Sequence, residues 1–278
     1  MGDRGLSKRQ RRRLVWVNVL LVAGFCAWYF GPTALFMWDS RYVGLKIPAV
    51  KKVPVELTDL SVSSASGLKL SYFGYEFEVP WDDLDEARTR QVGKVQLIGF
   101  RSGNVIWFSR MAPKEFVETI LSGTEIEREK LRKLYGDDAL ESDYALKRLI
   151  LEGTPEQISL MTPRREAARR TMLLVMKGAV ISIGGESGIF RVSNERLQGF
   201  QFGDPLRRPK TMSVEMFGED GGLRFIFARN VAGPGPGIMQ AEMNRVMQTA
   251  RKIPTEGLRA EEKKPEPRPE RIPLPLRY

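Results

Sequence analysis

Histidine is absent from this sequence of 278 residues, and cysteine occurs once, at Cys26. Without histidine the chain lacks the most common general base, the usual partner of a serine or cysteine nucleophile, and most zinc sites. A single cysteine cannot form a disulfide within the chain, so an exported domain would depend on its hydrophobic core. The glycine-rich segment 184–188 lacks the helix start and the Lys-Ser/Thr pair of a phosphate-binding loop. The composition therefore argues against an enzyme, and we expect no cofactor and no metal ion.

The formal net charge of +10 is carried mainly by the two ends of the chain. Residues 1–13 contain six basic residues and one acid, a net +5, and residues 251–278 contain eight basic residues and five acids, a net +3. The remaining +2 is spread over all the residues between them. Proteins that follow a nucleic-acid backbone carry basic patches or stripes. The nearly neutral body therefore predicts no nucleic-acid partner.

The stretch from Leu14 to Trp38 contains no charged residue, and it directly follows a basic run that ends at Arg13. About 20 apolar residues in a helix cross the hydrocarbon core of a bilayer. A single segment in lipid has to be helical, because its backbone groups must bond to one another. We therefore predict a transmembrane helix over residues 14–38. Gly31-Pro32 is expected to end or kink this helix, because proline removes a backbone donor.

A cleaved signal peptide is the alternative for this segment. Such a peptide has a basic start, an apolar run of about 7–15 residues and a small-residue cleavage site. Gly24-Phe25-Cys26 is a poor site of that kind, and the apolar character continues well beyond it. Trp16, Trp28 and Trp38 lie toward the two ends of the run, as aromatic residues do at membrane interfaces. These features favour an uncleaved anchor.

The lysine and arginine residues that flank the anchor predict its orientation. Six precede it and four follow it closely, the last of them Lys52. Flanks rich in lysine and arginine remain in the cytoplasm. We therefore predict a single-pass membrane protein with residues 1–13 in the cytoplasm and the globular domain outside it. The basic N-terminal segment also suits contact with anionic lipid.

The rest of the chain divides into a stalk, a domain and a tail. Residues 39–66 contain two prolines among basic and apolar residues and are predicted to form a juxtamembrane stalk. Residues 254–278 contain six prolines and mixed charge, which predicts a disordered, proline-rich tail. Between them, residues 67–253 are predicted to form one α+β domain with a mainly antiparallel sheet packed with helices.

The elements of this domain follow from periodicity and turn residues. Alternating apolar and polar residues predict hairpins within 67–79, 93–111 and 212–227, each with glycine at the turn. A helical pattern extends over 125–178, and a last helix is expected over 238–250.

Three further signals are local. Ser142 is a candidate helix cap, and Thr154 begins a capping box. The apolar runs 179–183 and 189–192 predict two strands paired around the glycine-rich segment. The acidic residues between 82 and 86 predict the first turn of a short helix, where the helix dipole favours negative charge.

The segment Tyr72–Trp81, with the sequence YFGYEFEVPW, resembles the strand-turn-strand entry of the Mog1/PsbP-like family. In that family an aromatic-rich hairpin ends in a proline and a tryptophan, here Pro80 and Trp81. The order of hairpin, helix, strands and final helix is also similar, whereas the helical region 125–178 departs from the family's pattern. The resemblance implies an accessory or binding module, and it transfers no functional residue to this chain.

Two clusters are candidate interaction sites. The first consists of four arginines on the predicted helix that follows Pro163, namely Arg164, Arg165, Arg169 and Arg170. These arginines either bind anionic lipid or polymer or form an ordinary solvated face. The second lies near the end of the tail and consists of Pro273, Leu274, Pro275 and Leu276. It either docks into an aromatic groove as a proline-rich ligand or remains unstructured.

These features favour a non-enzymatic, single-pass membrane protein that presents an extracytoplasmic α+β domain to a protein partner. The expected partners are the lipid bilayer and that protein, and the sequence leaves the oligomeric state open. One alternative is a binder of anionic lipid or cell-wall polymer. Another is a membrane-anchored hydrolase that uses a carboxylate pair, Asp82 with Asp83 or Asp137 with Asp138.

Overall fold

The structure is a computed structural model that describes residues 8–65, 67–122, 125–182, 185, 187–204, 206, 210–229 and 238–253. Within these residues the fold is α+β, with a mostly antiparallel sheet and helices, as the hydrophobic pattern predicts. The predicted tail lies outside the described residues, and so do its four candidate residues Pro273, Leu274, Pro275 and Leu276.

Seven α-helices lie within the described residues, and the first is by far the longest, with 39 residues. Two short 3₁₀ helices, Pro48–Lys51 and Pro155–Gln157, complete the helical structure described here. In chain order the helices are α1 (Lys8–Lys46), α2 (Glu115–Ile120), α3 (Glu125–Tyr135), α4 (Asp137–Leu140), α5 (Asp143–Glu152), α6 (Arg164–Val180) and α7 (Gln240–Thr249).

The strands of the described chain form two sheets, and every pair is antiparallel except the short parallel pair of β1 and β7. The larger sheet has the order β1-β7-β8-β9-β10-β6-β5-β4, and the smaller has the order β11-β3-β2. In chain order the strands are β1 (Val55–Glu56), β2 (Leu68–Tyr72), β3 (Tyr75–Val79), β4 (Leu84–Val92), β5 (Val95–Phe100), β6 (Asn104–Met111), β7 (Ile189–Ser193), β8 (Gln198–Phe202), β9 (Thr211–Gly218), β10 (Gly221–Arg229) and β11 (Arg251–Lys252).

Tight turns set the register of the hairpins. Phe73 and Gly74 join β2 to β3 with φ angles of 54° and 77°, and two positive φ angles match the right-handed twist of the flanking strands. Gly103 has a φ of 86° just before β6, and Gly221 has a φ of 114° at the start of β10. The hairpins predicted within 67–79, 93–111 and 212–227 are therefore confirmed.

The main core lies between one face of the large sheet and a layer formed by α7 and the small sheet. Phe77, Phe108 and Phe225 occupy its centre, and each is at most 1% exposed. Their ring centroids are 5.0 to 5.2 Å apart. Aromatic pairs at this spacing contribute beyond the burial of their surface. This layer is the principal source of stability in the domain.

Helices cover only part of the opposite face of the large sheet. On β8, Phe200 and Phe202 are buried beneath α5 and α6, and Tyr144 stacks on Phe200 with ring centroids 5.3 Å apart. Over β10, β6, β5 and β4 the side chains on this face remain partly exposed. Leu97, Trp107 and Ile226 lie side by side there, and Trp107 is 36% exposed. The helices lie on this side of the sheet but leave β10, β6, β5 and β4 uncovered. We call this uncovered surface the open face.

The second half of α1 packs against the domain. Phe36, Met37 and Val43 contact a small core that contains Ala167 and Leu174 of α6. Ser40 is fully buried, and the hydroxyl of Thr171 on α6 lies 3.4 Å from the carbonyl oxygen of Phe36. Residues 34–46 therefore form part of the domain.

Two features of this region differ from the expectation. Gly31-Pro32 does not end the helix, which continues through Pro32 to Lys46, because packing against α6 offsets the hydrogen bond that proline removes. The segment predicted as a stalk is not free of the domain either. It contains the end of α1, the 3₁₀ helix at 48–51 and β1, which pairs with β7.

Two local predictions are also wrong, in each case because contact with a distant element decides the structure. Ala179 and Val180 end α6 instead of beginning a strand, and Val180 and Ile181 pack beside the core of β8. A short apolar run fits a buried helix end as well as a strand. The acidic residues predicted to begin a helix lead into β4, where pairing with β5 prevails over the local preference. By contrast, Ser142 caps α5 by accepting from the backbone of Ala145, as predicted.

Truncation of Phe225 to alanine should destabilise the domain by about 3–5 kcal/mol, because it leaves a cavity beside Phe77 and Phe108. Chemical denaturation of the detergent-solubilised protein, followed by tryptophan fluorescence, would measure the change. Val92→Ala, at an exposed strand end, is the matched control and should stay within about 0.5 kcal/mol of the unmodified protein. Equal effects of the two substitutions would contradict this assignment of the core.

Candidate functional site

Residues 19–22, in the first half of α1, are not covered by the rest of the described chain. Leu20, Leu21 and Val22 are each more than 60% exposed, and α1 is, among the described residues, the one helix long and apolar enough to cross a membrane. The contact with the domain begins near Thr33, which is buried. From Leu14 to Thr33 the helix rises about 30 Å, which is the thickness of a bilayer's hydrocarbon core.

α6 runs parallel to α1, so both helices begin on the same side of the domain. Thr33 of α1 lies near Arg164, Phe36 lies beside Thr171, and the end of the Ile47 side chain approaches Gly178. Contacts therefore advance in the same direction along both helices. The N-terminus of α6 consequently lies where the exposed half of α1 leaves the domain.

At that position a loop and the helix enclose a cleft of about 430 Å³. We call the surrounding residues, 28–33 of α1 and 160–165, the collar. Leu160 and Met161 are exposed in the loop, at 45% and 83%. The collar thus combines aromatic residues of α1, a bare apolar loop and the basic start of α6.

The four candidate arginines divide into two pairs. Arg169 and Arg170 both bind Glu166, at 2.8 and 2.7 Å, and their hydrogen bonds hold the pKa of that carboxyl down to about 2. Arg164 and Arg165 are exposed and form no ion pair within the described part of the chain. Of the predicted cluster, only the pair at the start of α6 is therefore available to an anionic ligand.

A second group of charges is buried between α5 and the large sheet. Lys147 of α5 and Glu215 of β9 form an ion pair in which both side chains are almost completely buried. Ser182 donates to the same carboxylate at 2.6 Å, and Arg224 reaches it from the open face at 3.1 Å. The Lys147 ammonium also lies over the rings of Phe116 and Phe202.

The chemistry of this group is that of a structural ion pair. Burial alone would raise the pKa of Glu215, but the Lys147 ammonium and the Arg224 guanidinium outweigh it and hold that pKa below its usual value. Burial lowers the pKa of Lys147 more than its acidic partner raises it. Both carboxylate oxygens of Glu215 are bound, one by Lys147 and the other by Ser182 and Arg224. The group therefore joins α5, β9 and the segment after α6.

The candidate carboxylate pairs serve other purposes or stand apart. Asp83 accepts from the backbone amide of Ser102, and so holds the turn between β5 and β6, while Asp82 is exposed beside it. Asp137 and Asp138 are exposed in the first turn of α4. The described residues contain no group of three or more His, Cys, Asp or Glu side chains placed to hold a metal ion.

The sequence analysis predicts neither the buried ion pair of Lys147 and Glu215 nor the exposed apolar loop. The sequence does indicate that Lys147 is buried, because Lys147 shares a helical face with Leu146 and Ile150, both fully buried. No such indication exists for Glu215, since alternation along β9 predicts that it faces solvent. The role of Leu160 and Met161 depends on their position beside α1, which no local pattern records.

No protein-family model, curated protein or solved structure matches this chain.

Lys147→Met and Glu215→Gln should each destabilise the domain by about 3–5 kcal/mol, because each leaves its partner buried without an opposite charge. Lys147→Met combined with Glu215→Leu should be less destabilised than the worse single variant.

The pKa of Glu215 is lower in the folded protein than its usual 4.5. The contribution of Glu215 to the free energy of unfolding is therefore present above pH 4.5 and is lost as the pH falls. Chemical denaturation at several pH values would measure both effects, and additive single effects would contradict the pairing.

Proposed function

We propose that this chain is a single-pass membrane protein whose α+β domain acts as a non-enzymatic interaction module outside the cytoplasm. The observation that carries the proposal is the continuity of α1, in which an exposed apolar half leaves the domain and the other half packs into it. Only 6% of the 18-residue apolar stretch of α1 is buried in the protein. A bare apolar helix of this length is stable when lipid surrounds it.

The orientation rests on the distribution of charge. The six basic residues before Leu14 favour a cytoplasmic N-terminus. Because the contact with the domain begins near Thr33, about 20 residues after Leu14, the domain would stand directly on the opposite membrane surface. The packing of residues 34–46 against α6 then replaces a flexible stalk.

We assign the open face to the protein partner. Trp107 lies at its centre between Leu97 and Ile226, and Arg90 and Arg224 lie on the same side of the sheet. An aromatic centre with arginines at the rim is the composition typical of binding hot spots. The expected partner is a protein with an apolar patch surrounded by carboxylates. The resemblance of Tyr72–Trp81 to Mog1/PsbP-like modules, which is a prediction from sequence, agrees with an accessory role.

The anchor can be tested by charge substitution and fractionation. Leu21→Arg with Val22→Arg should move much of the protein out of the carbonate-resistant membrane fraction, because each charge at mid-membrane costs about 2.5–3.5 kcal/mol. Leu45→Arg, at an exposed position on the docked half, should leave the protein in the membrane. A compartment-sensitive reporter fused after Tyr278 should report an extracytoplasmic C-terminus. An unmodified protein found in the soluble fraction, or a cytoplasmic reporter, would refute the proposal.

The open face can be tested by site-specific crosslinking in cells. A photoreactive residue at position 107 should give a discrete crosslinked protein, and the same residue at the exposed position Val175 of α6 should not. Trp107→Glu should abolish association with that protein while the domain still unfolds cooperatively in denaturant, because Trp107 lies outside the main core. Identical crosslinks from both positions would contradict the assignment.

A further inference from the structure

The loop before α6 contains two large apolar side chains that are exposed to solvent. Met161 is 83% exposed and Leu160 is 45% exposed, next to the point where α1 leaves the domain. Single exposed apolar residues are common on protein surfaces. Leu160 and Met161 differ from such single residues, because they are adjacent and lie beside the part of α1 where a membrane surface would be.

The depth follows from α1. If the span from Leu14 to Thr33 crosses the hydrocarbon core, Trp28 and Tyr29 lie near its outer boundary, where aromatic rings are favoured. The loop contacts α1 at this level, since Trp28, Tyr29 and Thr33 line the same cleft as Leu160 and Met161. The tip of the loop is therefore level with the headgroup and acyl boundary.

The charge around the loop favours an anionic surface. Arg164 and Arg165 are exposed and unpaired among the described residues, and the one acid in the first turn, Glu166, is already bound by Arg169 and Arg170. Pro163 at the N-cap provides no side-chain hydrogen bond, so the first backbone N–H groups of α6 are left for another acceptor. Basic residues close to an anionic leaflet are attracted to it.

We propose that the collar is a second membrane contact, in which Leu160 and Met161 insert into the interface and Arg164 and Arg165 bind anionic phospholipid headgroups. This inference rests on the proposed membrane anchoring of α1. One helix alone leaves the domain free to rotate about the helix axis. A second contact beside it removes that freedom and holds the open face at a constant angle to the membrane.

Depth measurements on the full chain would test the insertion. A fluorescent label that responds to polarity is attached to single cysteines at positions 161, 21 and 175, in a Cys26→Ser background, and the protein is placed in phosphatidylcholine nanodiscs with phosphatidylglycerol. Nitroxide lipids should quench the labels at 161 and 21, while the label at 175, on the exposed far end of α6, should remain unquenched.

The outcomes separate the two proposals. A quenched label at 21 with an unquenched label at 161 would overturn the second contact and leave the anchor intact. Unquenched labels at both positions would overturn the anchor as well. Quenching at 161 that is equally strong without phosphatidylglycerol would overturn the part of the proposal that concerns anionic lipid.

The arginines have their own test. Arg164→Ala with Arg165→Ala should reduce the enrichment of phosphatidylglycerol around the nanodisc-bound protein by about five-fold for each charge removed. Lys94→Ala with Arg101→Ala, in the exposed turns at the two ends of β5, removes the same net charge and should leave the enrichment unchanged. Equal losses from both double variants would mean that only net charge matters. Reversal of the enrichment by inorganic phosphate at low concentration would indicate a free-anion site instead of a lipid contact, and either result would overturn the proposal.

Discussion

The burial of Phe36, Met37 and Val43 against α6 is the contact on which the arrangement of this molecule depends. It joins the apolar helix to the domain without an intervening linker, and it carries α1 through a proline that would otherwise weaken it. It also aligns α6 with α1, so that the N-terminus of α6 faces the same side as the exposed half of α1. The position of the collar follows from this interface.

Several charged side chains of the domain form ion pairs with one another. Lys147 and Glu215 neutralise one another where the helices meet the sheet, and Arg169 and Arg170 are engaged by Glu166. A charge that is bound internally has little left to offer a ligand, because its hydrogen bonds and its field are already satisfied. Arg164 and Arg165 at the start of α6 and Arg90 beside the open face are exposed and form no ion pair among the described residues, whereas Arg224 is bound to Glu215.

Predictions from sequence succeeded where the decisive interactions are local. Each hairpin was recognisable because a glycine at the turn and alternation on either side act within a few residues. Ser142 was recognisable as a cap for the same reason. Predictions failed where a distant element decided the outcome. The run at 179–183 has the apolar pattern of a strand, but the packing of Val180 and Ile181 beside the core of β8 is not encoded locally. The acidic segment before β4 has the composition of a helix start, but pairing of β4 with β5 decides its structure.

The apolar stretch from Leu14 to Trp38 shows where sequence and tertiary structure divide. Hydropathy alone predicted a helix over residues 14–38, which lies within the longer α1 (Lys8–Lys46). Composition alone excluded a disulfide within the chain and histidine chemistry. Only the tertiary structure decided which apolar residues serve which purpose. Residues 19–22, 28 and 29 are exposed, whereas Phe36 and Met37 pack against α6. The reason is physical, since hydrophobicity records that a side chain avoids water and not whether lipid or protein replaces it. The same holds for the four arginines, whose charge is visible in the sequence and whose availability depends on where Glu166 lies.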